Sequence, residues 1–241
     1  MFKNQLLAVP MMFLFLIAAV PAFAGGPIDE TLFTTYQIDS SYVYLSVCGS
    51  LPGSYGCYGS GTLGPFGSVG ALLEGNASVN VKEGVVTRYI YALDVAAGAS
   101  GTDVDLLVYK MTDTISPPYA TVSVTLFKTI SLPLAGGSSA LASMAANTKF
   151  IFIGTNQSPQ SVRLQKSNFA IIQSGSFEPP INVSAITSDK YGYVTVTFGA
   201  FSSGDTGFIV YGPDGSAVED GGGAPVMLST DQAVLPAALP Y

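Results

Sequence analysis

The sequence predicts an all-β protein built from about four antiparallel repeat units, and two observations support this. A short run of aromatic and β-branched residues occurs four times, at 42–47, 89–93, 150–154 and 193–197. Such residues suit a pleated, half-buried sheet and lose rotamer freedom in a helix. Gly, Pro, Asn and Asp also interrupt the chain at short intervals, as the turns of an antiparallel sheet require.

The first element is a predicted signal peptide at residues 1–24. Lys3 supplies the positive start, 6–20 is an apolar run, and Ala22-Phe23-Ala24 has the small-x-small pattern of a cleavage site. Cleavage after Ala24 predicts a secreted or periplasmic protein. Beyond the leader no apolar stretch is long enough to span a membrane as a helix. We therefore expect no transmembrane segment in the mature chain.

Within an all-β domain at 25–223, the turn signals divide the chain into repeat units at about 28–82, 83–137, 138–180 and 181–221, and 224–241 is a C-terminal tail or closing segment.

The first unit contains the only two cysteines, Cys48 and Cys57. In an exported protein such a pair predicts one disulfide bond, and the spacing fits neither a redox motif nor a metal site. Residues 49–67 are rich in Gly and Pro. We therefore expect a long surface loop there, without regular structure and pinned by the disulfide.

The second and third units contain one clear pattern and one ambiguous one. Residues 120–127 alternate apolar and hydroxyl-bearing side chains until Phe127 breaks the order. This predicts a strand with one face in the core and one in water. Residues 138–147 have helical propensity. By context the same residues fit an inner strand of small side chains equally well.

The fourth unit carries a resemblance to a known architecture. It contains Asp-Lys-Tyr-Gly-Tyr-Val at 189–194 and Gly-Phe-Ile-Val-Tyr-Gly-Pro-Asp-Gly at 207–215. These segments, with the repeat of the apolar runs, resemble a blade of β-propeller repeat proteins of the NHL and YncE type. The resemblance implies a β-propeller-like array of about four antiparallel blade units. An antiparallel β-sandwich of one or two modules requires the same spacing and is the alternative.

Charge and composition exclude several functions. The chain has 9 Lys and Arg against 16 Asp and Glu, and no basic stripe. Nucleic acid is therefore not an expected partner. The absence of His excludes Ser-His-Asp and Cys-His catalysis. We assign no catalytic residue.

Calcium is the one cofactor for which the sequence offers ligands. Asp94, Asp103 and Asp105 lie on both sides of the Gly-rich segment 98–101. Carboxylates together with loop carbonyls suit the oxygen ligation of Ca²⁺. These three residues are the candidate metal site, and no other cofactor is expected.

Four tyrosines are candidate binding residues, because we place them in loops, where an exposed ring can contact a sugar or a protein. They are Tyr55, Tyr58, Tyr119 and Tyr191.

The function that follows is a non-enzymatic, exported binding or interaction module for a protein or glycan partner. One alternative is a carbohydrate-active enzyme with an acidic pair, which requires two Asp or Glu side chains facing each other in a cleft. Another is a structural envelope or extracellular protein that self-associates through its strand edges, since charge is low and Gly, Ser and Thr are abundant.

Overall fold

The structure of the protein is a computed structural model. It describes residues 18–19, 32–39, 41–51, 54–75, 77–80, 82–116, 119–157, 161–174, 183–199, 206–218 and 227–230. The regular elements in these ranges are all β-strands, which confirms the predicted all-β class. Within the same ranges there is no long apolar helix of the kind that crosses a bilayer. Of the predicted signal peptide only 18–19 is described, and its other residues lie outside these ranges.

Sheet 1 contains β1 (Ala18–Ala19), β2 (Leu32–Ile38), β3 (Val43–Leu51) and β4 (Ser54–Leu63) in chain order, all antiparallel. The expectation of a loop at 49–67 is wrong for most of that range, because β3 continues to Leu51 and β4 begins at Ser54. The backbone groups of these Gly-rich residues form hydrogen bonds between β3 and β4, so the segment is a regular hairpin.

The predicted disulfide is confirmed, and it links the two strands of this hairpin. Cys48 and Cys57 stand opposite each other in the β3–β4 register, with their Cα atoms 3.9 Å apart.

Sheet 2 has the order β5-β7-β8-β9, with β6 also paired to β7. The predicted boundary of the first repeat unit, at about residue 82, includes residues 69–80, but β5 and β6 both pair with β7 in sheet 2. The reason is the length of β7, which has 13 residues and offers one edge long enough for two short strands. The strands are β5 (Val69–Glu74), β6 (Ser78–Asn80), β7 (Val85–Ala97), β8 (Asp103–Ser116) and β9 (Tyr119–Leu132).

Sheet 3 contains β10 (Ala142–Ala146), β11 (Phe150–Thr155), β12 (Ser161–Gln165) and β13 (Ile171–Ser174). Within residues 138–147 the structure forms a strand, β10, at Ala142–Ala146 and no helix. All five residues of β10 pair with β11, so sheet pairing outweighs local helical propensity.

Sheet 4 contains β14 (Val183–Ser188), β15 (Val194–Gly199), β16 (Thr206–Tyr211) and β17 (Met227–Thr230). β17 lies in the segment that we expected to be a tail or closing element, and it pairs with β16.

The four sheets stack in chain order, because sheets 2 and 3 each bury apolar side chains from both faces. Leu45 of sheet 1 and Met111 of sheet 2 belong to the first core. Leu106 of sheet 2 and Ile151 of sheet 3 belong to the second, and the third core lies between sheets 3 and 4. Alternate residues of one strand thus serve two different cores.

Candidate functional site

Two carboxylates converge in the structure, and they do so at Arg88 between sheets 1 and 2. Arg88 Nη1 lies 2.7 Å from Glu74 Oε1, and Arg88 Nη2 forms a second ion pair with Asp113 Oδ2. The Tyr36 hydroxyl donates to Glu74 Oε2 at 2.8 Å. The sequence pattern singled out neither Arg88 nor Asp113.

Arg88 and Asp113 are closed to solvent, whereas the Glu74 side chain is 11% exposed. The side chains of Arg88 and Asp113 are 0% and 1% exposed. Burial raises the pKa of Asp113, and Arg88 opposes that rise. Burial and the adjacent Glu74 raise the pKa of Tyr36. A glycosidase needs its two carboxylates on either side of a substrate, whereas here a guanidinium occupies the space between them. The geometry is that of a structural ion network.

The three carboxylates proposed as calcium ligands separate into different roles. Both Asp94 oxygens accept backbone hydrogen bonds, from Gly67 at 2.8 Å, Ser68 at 3.0 Å and Ala96 at 3.1 Å. Asp94 therefore anchors the connection between sheets 1 and 2.

Asp105 stands opposite Asp94 in the β7–β8 register, whereas Asp103 stands opposite Ala97 and is exposed. Over the described ranges, no three His, Cys, Asp or Glu side chains are grouped in a way that could hold a metal ion.

The four candidate tyrosines do not form one site. We expected all four in loops, but Tyr55 and Tyr58 lie in β4 and Tyr119 is the first residue of β9. Tyr58 is half-buried against the first core, and the side chains of Tyr55 and Tyr119 lie outside what the structure describes. Tyr191 is in a turn and is 69% exposed, with Lys190 Nζ 5.0 Å from its ring centre.

A different surface, on sheet 2, combines exposed aromatic, hydroxyl and cationic side chains. β8 and β9 have 14 residues each, whereas β11 and β12 of sheet 3 have 6 and 5. Sheet 3 therefore covers only one end of this face of sheet 2. We call the uncovered part, with its border at sheet 3, the ledge. It comprises Ser78, Thr87, Tyr89, Lys110, Thr112, Ser123, Thr125, Phe127, Lys128 and Phe169.

Hydroxyl groups form a row across the ledge. Ser78 stands opposite Thr87, Thr87 opposite Thr112, and Thr112 opposite Ser123. Residues directly opposite in antiparallel strands point to the same face. The row therefore crosses four strands, a span of roughly 14 Å at the usual strand spacing.

Aromatic rings flank the row where the ledge meets sheet 3. The rings of Tyr89 and Phe127 pack edge to face with their centres 5.5 Å apart, and Phe127 is 55% exposed. The β8–β9 register shifts at this point, so that Phe127 is an extra residue in a β-bulge. The bulge explains why Phe127 breaks the alternation of the sequence.

Phe169 forms the border of the ledge, and its backbone is unusual. Its φ is 61°, the only positive φ of a non-glycine residue within the described ranges. Bulky residues rarely adopt this conformation. The turn is held by hydrogen bonds from Phe169 N to the Gln165 carbonyl at 2.8 Å and from Ala170 N to Asn168 Oδ1 at 2.9 Å.

The Phe169 ring reaches from the β12–β13 turn of sheet 3 to side chains of sheet 2. It packs edge to face on Tyr91, with the ring centres 6.4 Å apart, and Lys128 Nζ lies 5.2 Å from its centre. Lys128 Nζ is also 3.4 Å from the Asn168 carbonyl oxygen. Strained backbone is often retained at binding sites, so Phe169 marks the ledge as the candidate site.

Comparison with models of known protein families gives no match, and comparison with curated proteins gives none either. The function is therefore argued from the geometry of the ledge.

The sequence pattern missed most of the ledge. Its hydroxyl residues lie on different strands, and only the register brings them into one row. The available signal was Phe127, an apolar residue at a position where the alternation calls for a hydroxyl.

Proposed function

We propose that the protein is a non-enzymatic binding module that takes a glycan at the ledge. The observation that supports this is the hydroxyl row beside the exposed Phe127 ring and the half-buried Tyr89 ring. Sugar rings have apolar C–H faces that pack on aromatic side chains, and their hydroxyl groups exchange hydrogen bonds with Ser and Thr, which donate and accept. Tyr89 and Phe127 supply the first kind of contact and the Ser and Thr row supplies the second.

The charge of the ledge supports a glycan that is neutral or acidic. Lys110 and Lys128 are the charged members of the ledge, and none of its residues is acidic, although the whole chain has a net charge of −7. A local excess of cations attracts carboxylated sugars.

The surroundings of the site fit an exported protein of propeller-like design. The Cys48–Cys57 disulfide suits an oxidising compartment. The predicted signal peptide would direct the chain to such a compartment, so we propose a periplasmic or secreted location. Four antiparallel sheets stacked in chain order support a propeller-like array of blades. In that arrangement the ledge is the part of the second blade that the third leaves uncovered.

The test is affinity electrophoresis of the mature chain in gels containing a neutral polysaccharide or an acidic one such as polygalacturonate. We expect the polysaccharide to retard the wild-type chain. Phe127→Ala should raise the dissociation constant derived from the retardation by about tenfold, the equivalent of 1.4 kcal/mol. Tyr191→Ala is the matched control, since Tyr191 is a more exposed aromatic residue in the turn between β14 and β15 of sheet 4. Retardation lost in Tyr191→Ala but kept in Phe127→Ala would move the site to sheet 4. No retardation by any polysaccharide would contradict a glycan ligand.

A further inference from the structure

We propose that a second copy of the chain pairs antiparallel with the outer edge of β9, with a two-fold axis at Ser123. β9 is the last strand of sheet 2, and within the described ranges its pairing partner is β8 alone. Among the residues that the structure describes, none pairs with its other edge, and the backbone N–H and C=O groups of such an edge are a template for another strand.

The sequence of β9 is self-complementary about Ser123. Residues 121–125 read Thr-Val-Ser-Val-Thr. In an antiparallel pair centred on Ser123, Thr121 of one copy stands opposite Thr125 of the other, Val122 opposite Val124, and Ser123 opposite itself. Hydroxyl side chains then pair on one face and valines on the other, as favourable cross-strand pairs require. A two-fold interface needs such a self-complementary surface.

The edge has none of the usual protection over this stretch. Residues 121–126 contain no charged residue and no proline, and the register with β8 is regular there. The bulge comes only at Phe127, and Lys128 follows it. Bulges and lysines are the common devices that block edge pairing. Because the bulge and Lys128 come after the self-complementary residues 121–125, they would end the paired region on that side without blocking pairing of 121–125.

Sheet 1 covers a face of β9 and not its edge. A Cβ built on Gly61 of β4 would lie 2.7 Å from Val124 Cγ2, and Gly59 makes the same close approach to Val122. β4 is hydrogen-bonded to β3, in a different sheet. Because opposite residues share a face in antiparallel pairing, Ser123 and Thr125 of both copies point to one side. The dimer would therefore present two ledges on the same side of one continuous sheet.

Cysteine cross-linking of the mature chain tests this register. Opposite Cα atoms in an antiparallel pair are about 4.5 to 5.5 Å apart, within the range that a disulfide spans. Under mild oxidation we expect Ser123→Cys to form a covalent dimer. Thr121→Cys mixed with Thr125→Cys should cross-link more than either variant alone. Thr114→Cys is the control, because Thr114 is exposed on β8, an inner strand. Equal cross-linking of Thr114→Cys and Ser123→Cys would overturn the proposal.

Sedimentation equilibrium from micromolar to millimolar concentration gives an independent result. We expect a monomer–dimer equilibrium. In Ser123→Lys the two like charges face each other across the axis and should weaken dimerisation by roughly fivefold to tenfold. The control, Thr114→Lys, should leave it unchanged. The mass of one chain at every concentration, or equal weakening by both substitutions, would overturn the proposal. Glycan binding by a chain that stays monomeric would leave the ledge intact, so the two proposals fail separately.

Discussion

Replacing Arg88 by methionine should destabilise the protein severely at neutral pH. Arg88 is the cation between the buried Asp113 carboxylate and the partly buried Glu74 carboxylate, and its side chain is 0% exposed. Glu74 would keep its bond from Tyr36. Asp113 would keep none, because its Oδ1 has no hydrogen-bond partner and its Oδ2 pairs with Arg88. Removing one member of a buried ion pair costs about 3–5 kcal/mol. This is a large share of the roughly 5–15 kcal/mol by which domains are stable.

The destabilisation should depend on pH with a definite sign. Burial raises the pKa of Asp113 and Arg88 opposes that rise, so the pKa rises further in Arg88→Met. The folded variant then binds a proton that the unfolded chain releases above an ordinary carboxyl pKa of about 3.9. Stability therefore falls as pH rises through the window between the two pKa values. Below that window both states are protonated and most of the penalty disappears.

Urea unfolding at about pH 4 and about pH 7, chosen to bracket a carboxyl pKa, measures both effects. The chain contains no Trp, so far-UV circular dichroism and tyrosine fluorescence are the probes. We expect a large difference in unfolding free energy from the wild type near pH 7 and a small one near pH 4. Adding Asp113→Leu to Arg88→Met should restore much of the stability, because it removes the unpaired charge. An unchanged midpoint near pH 7, or a loss that is equal at both pH values, would refute the reasoning.

Three further predictions concern packing, the disulfide and one buried amide. Gly61→Ala should lower the free energy of unfolding in urea by about 1–3 kcal/mol through overpacking, because the new Cβ would lie 2.7 Å from Val124 Cγ2. A second substitution, Val124→Ala, should recover part of this loss, and no recovery would show that the clash is not the cause. Replacing Cys48 and Cys57 together by Ala should lower stability by about 2–3 kcal/mol through loop-closure entropy, and an unaltered melting temperature would contradict this. Asn147→Ala should cost about 1–3 kcal/mol, because the buried Asn147 side chain accepts hydrogen bonds from the backbone N–H groups of Lys149 and Phe150 and donates to the carbonyls of Gly192 and Pro213. Loss of hydrogen-exchange protection should centre on the turns that contain these residues. Unchanged protection in these turns would contradict the prediction.

The fold was predictable from sequence to the level of its strands, because strand formation has a local signature. The alternating residues 120–127 lie in β9, and 194–197 of the predicted run 193–197 lie in β15. The disulfide was predictable as well, since the chain contains only two cysteines. The errors occurred where a local composition competes with sheet pairing. Gly-rich residues 54–63 indicated a loop and form β4, because a long neighbouring strand satisfies their backbone groups.

The candidate site was less predictable than the fold, because its residues are brought together by register. Tyr55 and Tyr58 were chosen for their Gly-rich surroundings, which proved to be a strand. Thr87, Thr112 and Ser123 are unremarkable in sequence and become one row only when three strands align.

The sequence by itself determined where most of the strands form, which two cysteines pair and how few charges the protein carries, because these follow from the residue types and their near neighbours. The tertiary structure alone decided that β5 and β6 pair with β7, that Arg88 meets Glu74 and Asp113, and that sheet 3 leaves the ledge uncovered. These features depend on contacts between residues far apart in the chain and on the relative lengths of stacked strands. The local alternation of apolar and polar residues predicts neither these contacts nor these relative lengths.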